Sequence, residues 1–272
     1  MQINSEPSGA APVRGLTRRA DTLAAIVKED SPRTHANSQT LSLSFSSSLI
    51  QSCMRLDAPD ELVLDYTRTM MGALLFNARP RHVLMIGLGG GSMLKYLHHH
   101  VPEADLTAVE INEEVIDLRD DFCLPPDSER LRIVCADGAE FIRRPPRAYD
   151  LILVDGFTGE GIAEALCTRS FYVHCRKALS AEGLLVANVQ ADTDQTREIG
   201  KRLFKVFQGS MISVLSDEGG NDIVTAGPRH LFEQCVADFE SHWQAIGEVH
   251  QATLAVASQR IQRALMRGFP VG

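Results

Sequence analysis

No run of the sequence approaches the roughly 20 apolar residues that a membrane-spanning helix needs, so no membrane partner is expected. No two of the six cysteines have C-x-x-C spacing, and none stands beside a histidine pair in a zinc pattern. Several lie inside apolar runs, where a thiol packs as a small hydrophobe; buried, reduced cysteines and a cytoplasmic location are expected. The opening residues are rich in Pro, Gly, Ser and Arg and lack the apolar centre of a leader. Internal repeats are lacking too. Positive charge is short: 27 Lys and Arg against 35 Asp and Glu leave a net charge of -8. That balance argues against nucleic acid, whose phosphates require a basic footprint. An acidic cleft would attract a cationic substrate, although a solvated acidic surface is the plainer reading of composition alone.

What is present is a core-forming sequence. Hydrophobic residues make up 44% of 272, enough for one large domain or one domain with a small appendage. Residues 1–36 read as a loosely packed arm with a hint of helix at Leu23–Val27. Residues 37–80 read as a β-hairpin (Thr40–Phe45 and Leu49–Met54) and a helix over Asp60–Phe76. From there short apolar runs alternate with helical stretches: Val83–Ile86, Leu106–Ile111, Leu131–Cys135, Tyr149–Asp155 and Gly183–Asn188, with two further strands at Met211–Leu215 and Asp222–Thr225. Fully apolar strands separated by helices imply an α/β fold, a doubly wound, mainly parallel seven-stranded sheet over residues 81–228. Residues 229–272 read as a helical tail that either packs on the domain or forms a homodimer contact. The tract His98-His99-His100 stands at a helix end before Pro102 with no carboxylate or cysteine partner positioned nearby in a metal-ligand pattern, so no metal is expected.

The chemistry-bearing residues fall at the carboxyl ends of the strands, where ligands bind in such sheets. The first is the loop Gly87-Leu88-Gly89-Gly90-Gly91-Ser92. Its glycines let the backbone turn and approach a ligand closely, and the helix after it offers amide donors. Glu110 closes the second strand and is placed to hold both hydroxyls of a ribose, with Ile111 beside it. Asp137-Gly138 follows the third strand; the Asp can accept from an adenine amine and can equally cap the next helix. Together these three strand ends describe a nucleoside site. Ser92 at the sixth loop position, together with Asp137, suits an adenosyl ligand better than a dinucleotide.

The fourth strand ends at Asp155 and runs into Gly156-Phe157-Thr158-Gly159-Glu160-Gly161 and a helix with Phe171-Tyr172. Here the chain resembles the spermidine synthase (polyamine aminopropyltransferase) family, as a divergent member. Asp155 matches that family's catalytic Asp, and Gly161, Ala163, Leu166, Phe171 and Tyr172 fall at its spacing. Gln39, Asp60-Glu61, the glycine loop, Val109-Glu110-Ile111 and Asp137-Gly138 fall in its order. The resemblance spans roughly residues 39–227 and implies a Rossmann-like fold of the class I S-adenosylmethionine-dependent methyltransferase type. It implies Gln39, Gly87, Gly89, Gly91, Glu110, Ile111, Asp137 and Gly138 for the nucleoside, and Asp155 as base. The implied reaction passes an aminopropyl group from decarboxylated S-adenosylmethionine to a di- or polyamine, without a metal.

Three positions depart from the family pattern. Gly90 stands where the family has an Asp for the donor's amine, Thr158 where it has a second gate-loop Asp, and Leu64 where it has a Tyr, with Tyr66 two residues on. Glu160 or Glu164 can stand in for a missing carboxylate. Without an Asp at 90, intact S-adenosylmethionine is not repelled, which keeps a methyltransferase of unknown acceptor open as a second reading. A non-catalytic nucleoside-binding homologue is the third.

Overall fold

The computed structural model describes residues 31–45, 50–159, 161–216 and 220–268. The expected helix at Leu23–Val27, most of the arm, Leu49 and Glu160 lie outside them. Seven strands form the main sheet: β4 (His82–Ile86), β5 (Asp105–Glu110), β6 (Leu131–Cys135), β7 (Tyr149–Val154), β10 (Leu179–Gln190), β11 (Met211–Leu215) and β12 (Asn221–Ala226). Their order is β11-β12-β10-β7-β4-β5-β6. The pairs from β10 to β6 are parallel, and β12 runs antiparallel to both its neighbours. The chain starts at β4, winds outward through β5 and β6, then crosses to β7 and winds the other way. The switch in strand order therefore falls between β4 and β7, where a crevice opens at the carboxyl ends.

The apolar runs become strands because both faces of the sheet are covered. Side chains alternate across a strand. Val83, Met85, Leu151, Leu153, Leu184 and Val186 pack on one face with Met93, Leu94, Tyr96 and Leu97 of α2 (Ser92–His100). Leu84, Ile86, Ile152, Val154, Leu185 and Ala187 face the other side, against Phe171, Tyr172 and Cys175 of α5 (Arg169–Ala178) and Ile199 and Leu203 of α6 (Asp194–Val206). Between β5 and β7 lie α3 (Glu113–Asp117), capped by Asn112, and the single turn α4 (Gly138–Phe141), capped by Asp137.

The N-terminal part differs from the expected hairpin. β1 (Arg33–Ala36), inside the stretch read as a loose arm, pairs with β2 (Thr40–Ser44), which pairs with β3 (Ile50–Arg55). All four β1 residues are exposed, so no apolar alternation marks them. The helix expected from Asp60 begins only at Asp65. α1 spans Asp65–Met71 and tightens into a 3-10 turn over Gly72–Leu75. That change coincides with a close approach: a β-carbon on Gly72 would stand 2.1 Å from Ile261 Cδ1.

Ile261 belongs to the tail, which forms α7 (Arg229–Ala237), α8 (Phe239–Ala245) and α9 (Glu248–Met266). The tail packs on the domain: Arg260 donates to Asp65 Oδ2 at 2.7 Å, and Tyr96 Oη meets His250 Nδ1 at 2.7 Å. All six cysteines are free, but Cys123 and Cys135 are exposed, which corrects the expectation that the thiols are buried. Cys123 sits at positive φ in a loop and Cys135 at a strand end.

Candidate active site

The crevice at the switch point is a cavity of about 960 Å³. Gly87, Gly89, Glu110, Ile111, Asp137, Gly138 and Asp155 all line it, so strand ends far apart in sequence converge as the spacing predicts. Gln39 does not. It is exposed in the β1–β2 turn, where its carbonyl accepts from Leu56 N, and Gln51 and Ser52 of β3 face the cavity instead. Gly91 also lies behind the wall. It is the left-handed N-cap of α2, and a β-carbon there would meet Leu124 at 2.7 Å.

Gly87 is the tightest point of the loop. Its φ is +91°, and a β-carbon would stand 2.1 Å from the Asp155 carbonyl oxygen. The neighbouring strands are held in step by Gly87 N to Val109 O and Asp155 N to Ile86 O, both 2.8 Å. Glu110 fastens the loop from the next strand. Its Oε2 accepts from Leu88 N at 2.8 Å and its Oε1 from Asn112 N at 3.0 Å. Burial pushes its carboxyl above the usual range, against the pull of these amides. Asp137 Oδ1 accepts from Ala139 N at 2.7 Å as a helix cap, while the residue also faces the cavity.

Asp155 stands at the carboxyl end of β7, beside the topological switch. Tyr66 Oη donates to its Oδ2 at 3.1 Å and Asn188 Nδ2 to its Oδ1 at 2.8 Å. Asn221 Nδ2 in turn donates to Asn188 Oδ1 at 2.9 Å, which fixes the amide so that its nitrogen points at Asp155. Burial raises the Asp155 carboxyl to about 6; the hydrogen bonds from Asn188 and Tyr66 oppose the rise, and the charge of Glu110 adds to it.

Tyr66, Asn188 and Asn221 were not singled out for this site from the sequence. Tyr66 sits in the first turn of α1 with its ring buried, whereas Leu64, at the expected Tyr position, is the N-cap of α1 and packs into the core. Asn188 closes an apolar run at a strand's carboxyl end, the same signal that located Asp155. Asn221 opens β12 and carries no such mark.

The gate segment forms a minimal antiparallel pair, β8 (Phe157–Thr158) and β9 (Gly161–Ile162). Thr158 Oγ1 donates to Gly161 O at 3.1 Å, so this position closes the turn rather than adding a charge. Glu164 and Gln195 line the cavity beyond it. At Gly90 there is no vacancy left by a missing side chain. A β-carbon would stand 2.7 Å from both Phe122 Cδ1 and Ser52 Oγ.

The comparisons with known proteins point to one family. A polyamine aminopropyltransferase of Neisseria meningitidis serogroup A is 43% identical over 187 residues, 68% of this chain and 71% of that protein. A probable spermidine synthase from Corynebacterium glutamicum has a similar structure, with a TM-score of 0.63 at 24% identity over 72% of this chain and 76% of its own. A spermidine synthase solved in complex with the transition-state analogue AdoDATO gives 0.58 at 19% identity, over 86% and 88%. These structural likenesses establish the methyltransferase-like Rossmann fold. The family model described as the spermine/spermidine synthase domain matches residues 63–214, from the entry to α1 into β11. The family match covers β4, β5, β6, β7, β10, the glycine turn and Asp155, and the chain belongs to the spermine/spermidine synthase family.

Proposed function

We propose that this transferase moves the aminopropyl group of decarboxylated S-adenosylmethionine to a di- or polyamine, with Asp155 taking the proton. The observation that carries the choice of substrates is the charge of the cavity wall. Among the described residues it holds four carboxylates, Glu110, Asp137, Asp155 and Glu164, and no lysine, arginine or histidine. The decarboxylated donor and a polyamine are both cationic and are attracted by such a wall. Intact S-adenosylmethionine adds a carboxylate that would meet four acids and no cation. Gly90 does not relieve this, because Phe122 and Ser52 fill the space beside it.

In this reading the adenosine lies across the glycine turn. The second lone pairs of the Glu110 oxygens accept from the ribose hydroxyls, Asp137 Oδ2 accepts from the adenine amine, and Ile111 packs on the base. Residues 81–228 are the nucleoside-binding domain, and residues 37–80 lend it Gln51, Ser52 and Tyr66. The acceptor nitrogen must be neutral to attack. Asp155, held at about 6, is ionised at neutral pH yet close enough in proton affinity to accept the proton as attack proceeds. A carbon–nitrogen bond forms at the carbon beside the sulfonium. The carbon–sulfur bond breaks, and its electron pair returns to sulfur to leave neutral methylthioadenosine. Tyr66 and Asn188 hold the Asp155 carboxylate in place for this step.

Calorimetry with the two donor forms tests the choice of donor. The decarboxylated form is expected to bind at least about tenfold tighter, from one uncompensated like-charge contact. Equal affinity, or preference for the intact form, contradicts it.

A further inference from the structure

The histidine tract at the end of α2 has a carboxylate partner that sequence order hides. Asp60, in the loop between β3 and α1, places Oδ2 at 3.6 Å from His99 Nδ1 and 3.4 Å from His100 Nε2. The three ligand atoms all lie within 4.8 Å of one another. The reason for expecting no metal, that no carboxylate partner was positioned by the tract, therefore fails: Asp60 stands 39 positions before His99 in sequence, but the fold closes that gap.

We propose that Asp60, His99 and His100 form a binding site for a divalent transition-metal ion that favours imidazole nitrogen, with Zn²⁺ as the reference ion. Zinc bound tetrahedrally at about 2.0–2.1 Å from nitrogen and oxygen ligands holds those ligands about 3.3 Å apart. The two distances to Asp60 already match within a few tenths of an ångström. Two imidazoles and one carboxylate suit zinc, copper and nickel, and disfavour calcium and magnesium, which take all-oxygen sets. The His100 ring is anchored from behind: it packs on Tyr96 at 4.7 Å between centroids and on His250 at 6.1 Å. Tyr96 and His250 are joined to each other by their 2.7 Å hydrogen bond, so a ring of α9 stands behind the ligand as a supporting shell. His99 is exposed and leaves a path for the ion. The site lies outside the set of residues lining the cavity. A bound ion would tie the loop that leads into α1 to the end of α2.

The test is titration of the chelator-treated full chain with ZnCl₂ by calorimetry, with Co²⁺ spectra in parallel. One ion per chain is expected, with no thiolate-to-cobalt charge-transfer band. The double variant His99→Gln/His100→Gln and the single variant Asp60→Asn should each lose at least about tenfold in affinity. Circular dichroism on both separates loss of ligand from loss of fold, and Cys123→Ser/Cys135→Ser should bind as the parent does. The proposal is overturned if the parent binds no zinc, if either folded ligand variant binds zinc as the parent does, or if binding follows the cysteines.

Discussion

The Tyr66 hydroxyl donates to Asp155 Oδ2 at 3.1 Å across 89 residues of sequence. The contact joins the first turn of α1 to the carboxyl end of β7 and gives the N-terminal segment a direct hand in the candidate base. Asn188 meets the other carboxylate oxygen, so Asp155 is held from two sides by donors that favour its ionised form.

Removing either donor should therefore raise the Asp155 pKa further. In Tyr66→Phe or Asn188→Ala the acid limb of the pH–rate profile of kcat/KM is expected to move up by about one pH unit, as loss of a hydrogen bond to a charged group implies. Activity at high pH should fall much less than at pH 6. A profile that drops uniformly without moving would mean these residues do not act through Asp155.

Asp155 also carries a stability cost whose sign can be checked. Its carboxyl titrates near 6 in the folded chain, above its value when unfolded. The protonated form stabilises the fold fully below about pH 4, and that contribution is lost as pH rises through 6. Asp155→Asn should therefore be more stable than the parent by about 1–3 kcal/mol at pH 8 and no more stable at pH 4, read by chemical denaturation. It should also lose about 10²–10⁴-fold in activity. Equal stability at both pH values would show that burial does not strain the carboxyl.

The glycine turn predicts a graded series. Gly90→Asp places a side chain into Phe122 and Ser52 and should destabilise the fold by about 1–3 kcal/mol without improving turnover. Gly87→Ala, with its β-carbon driven against the Asp155 backbone, should abolish activity. Gly200→Ala is the control: a β-carbon there would meet nothing within 4 Å outside its own stretch of α6, and the change should stabilise the chain by about 0.5–1 kcal/mol. Denaturation midpoints for the three variants check the order.

The sheet was readable because β4 and β7 are covered on both faces and so appear as the apolar runs Val83–Ile86 and Leu151–Val154, with functional residues at their ends. Asp155 could be placed on this signal; Glu110 closes β5 and Asp137 follows β6, whose apolar runs are broken by Thr107 and Arg132, and both were placed by the alternation of strands and helices around them. β1 could not, because Arg33–Ala36 is wholly exposed and is held by backbone pairing that any residues can make. Gln39 has a suitable residue type but sits in a turn one strand away from the wall that Gln51 occupies. Tyr66 and Asp60 each find their partners through long-range contacts, which spacing within one element does not encode. α1 starts later than the spacing predicts because Leu62 is buried and Leu64 is packed, partly buried, against the core without either being helical.

The central claim is that this acid-walled cavity transfers an aminopropyl group through Asp155. Incubating the chain with decarboxylated S-adenosylmethionine and a panel of di- and polyamines, and measuring methylthioadenosine by mass spectrometry, addresses it directly. The expected result is amine-dependent release by the parent and a loss of at least about 100-fold in Asp155→Asn. No release with any amine, or S-adenosylhomocysteine formed from the intact donor instead, would contradict it.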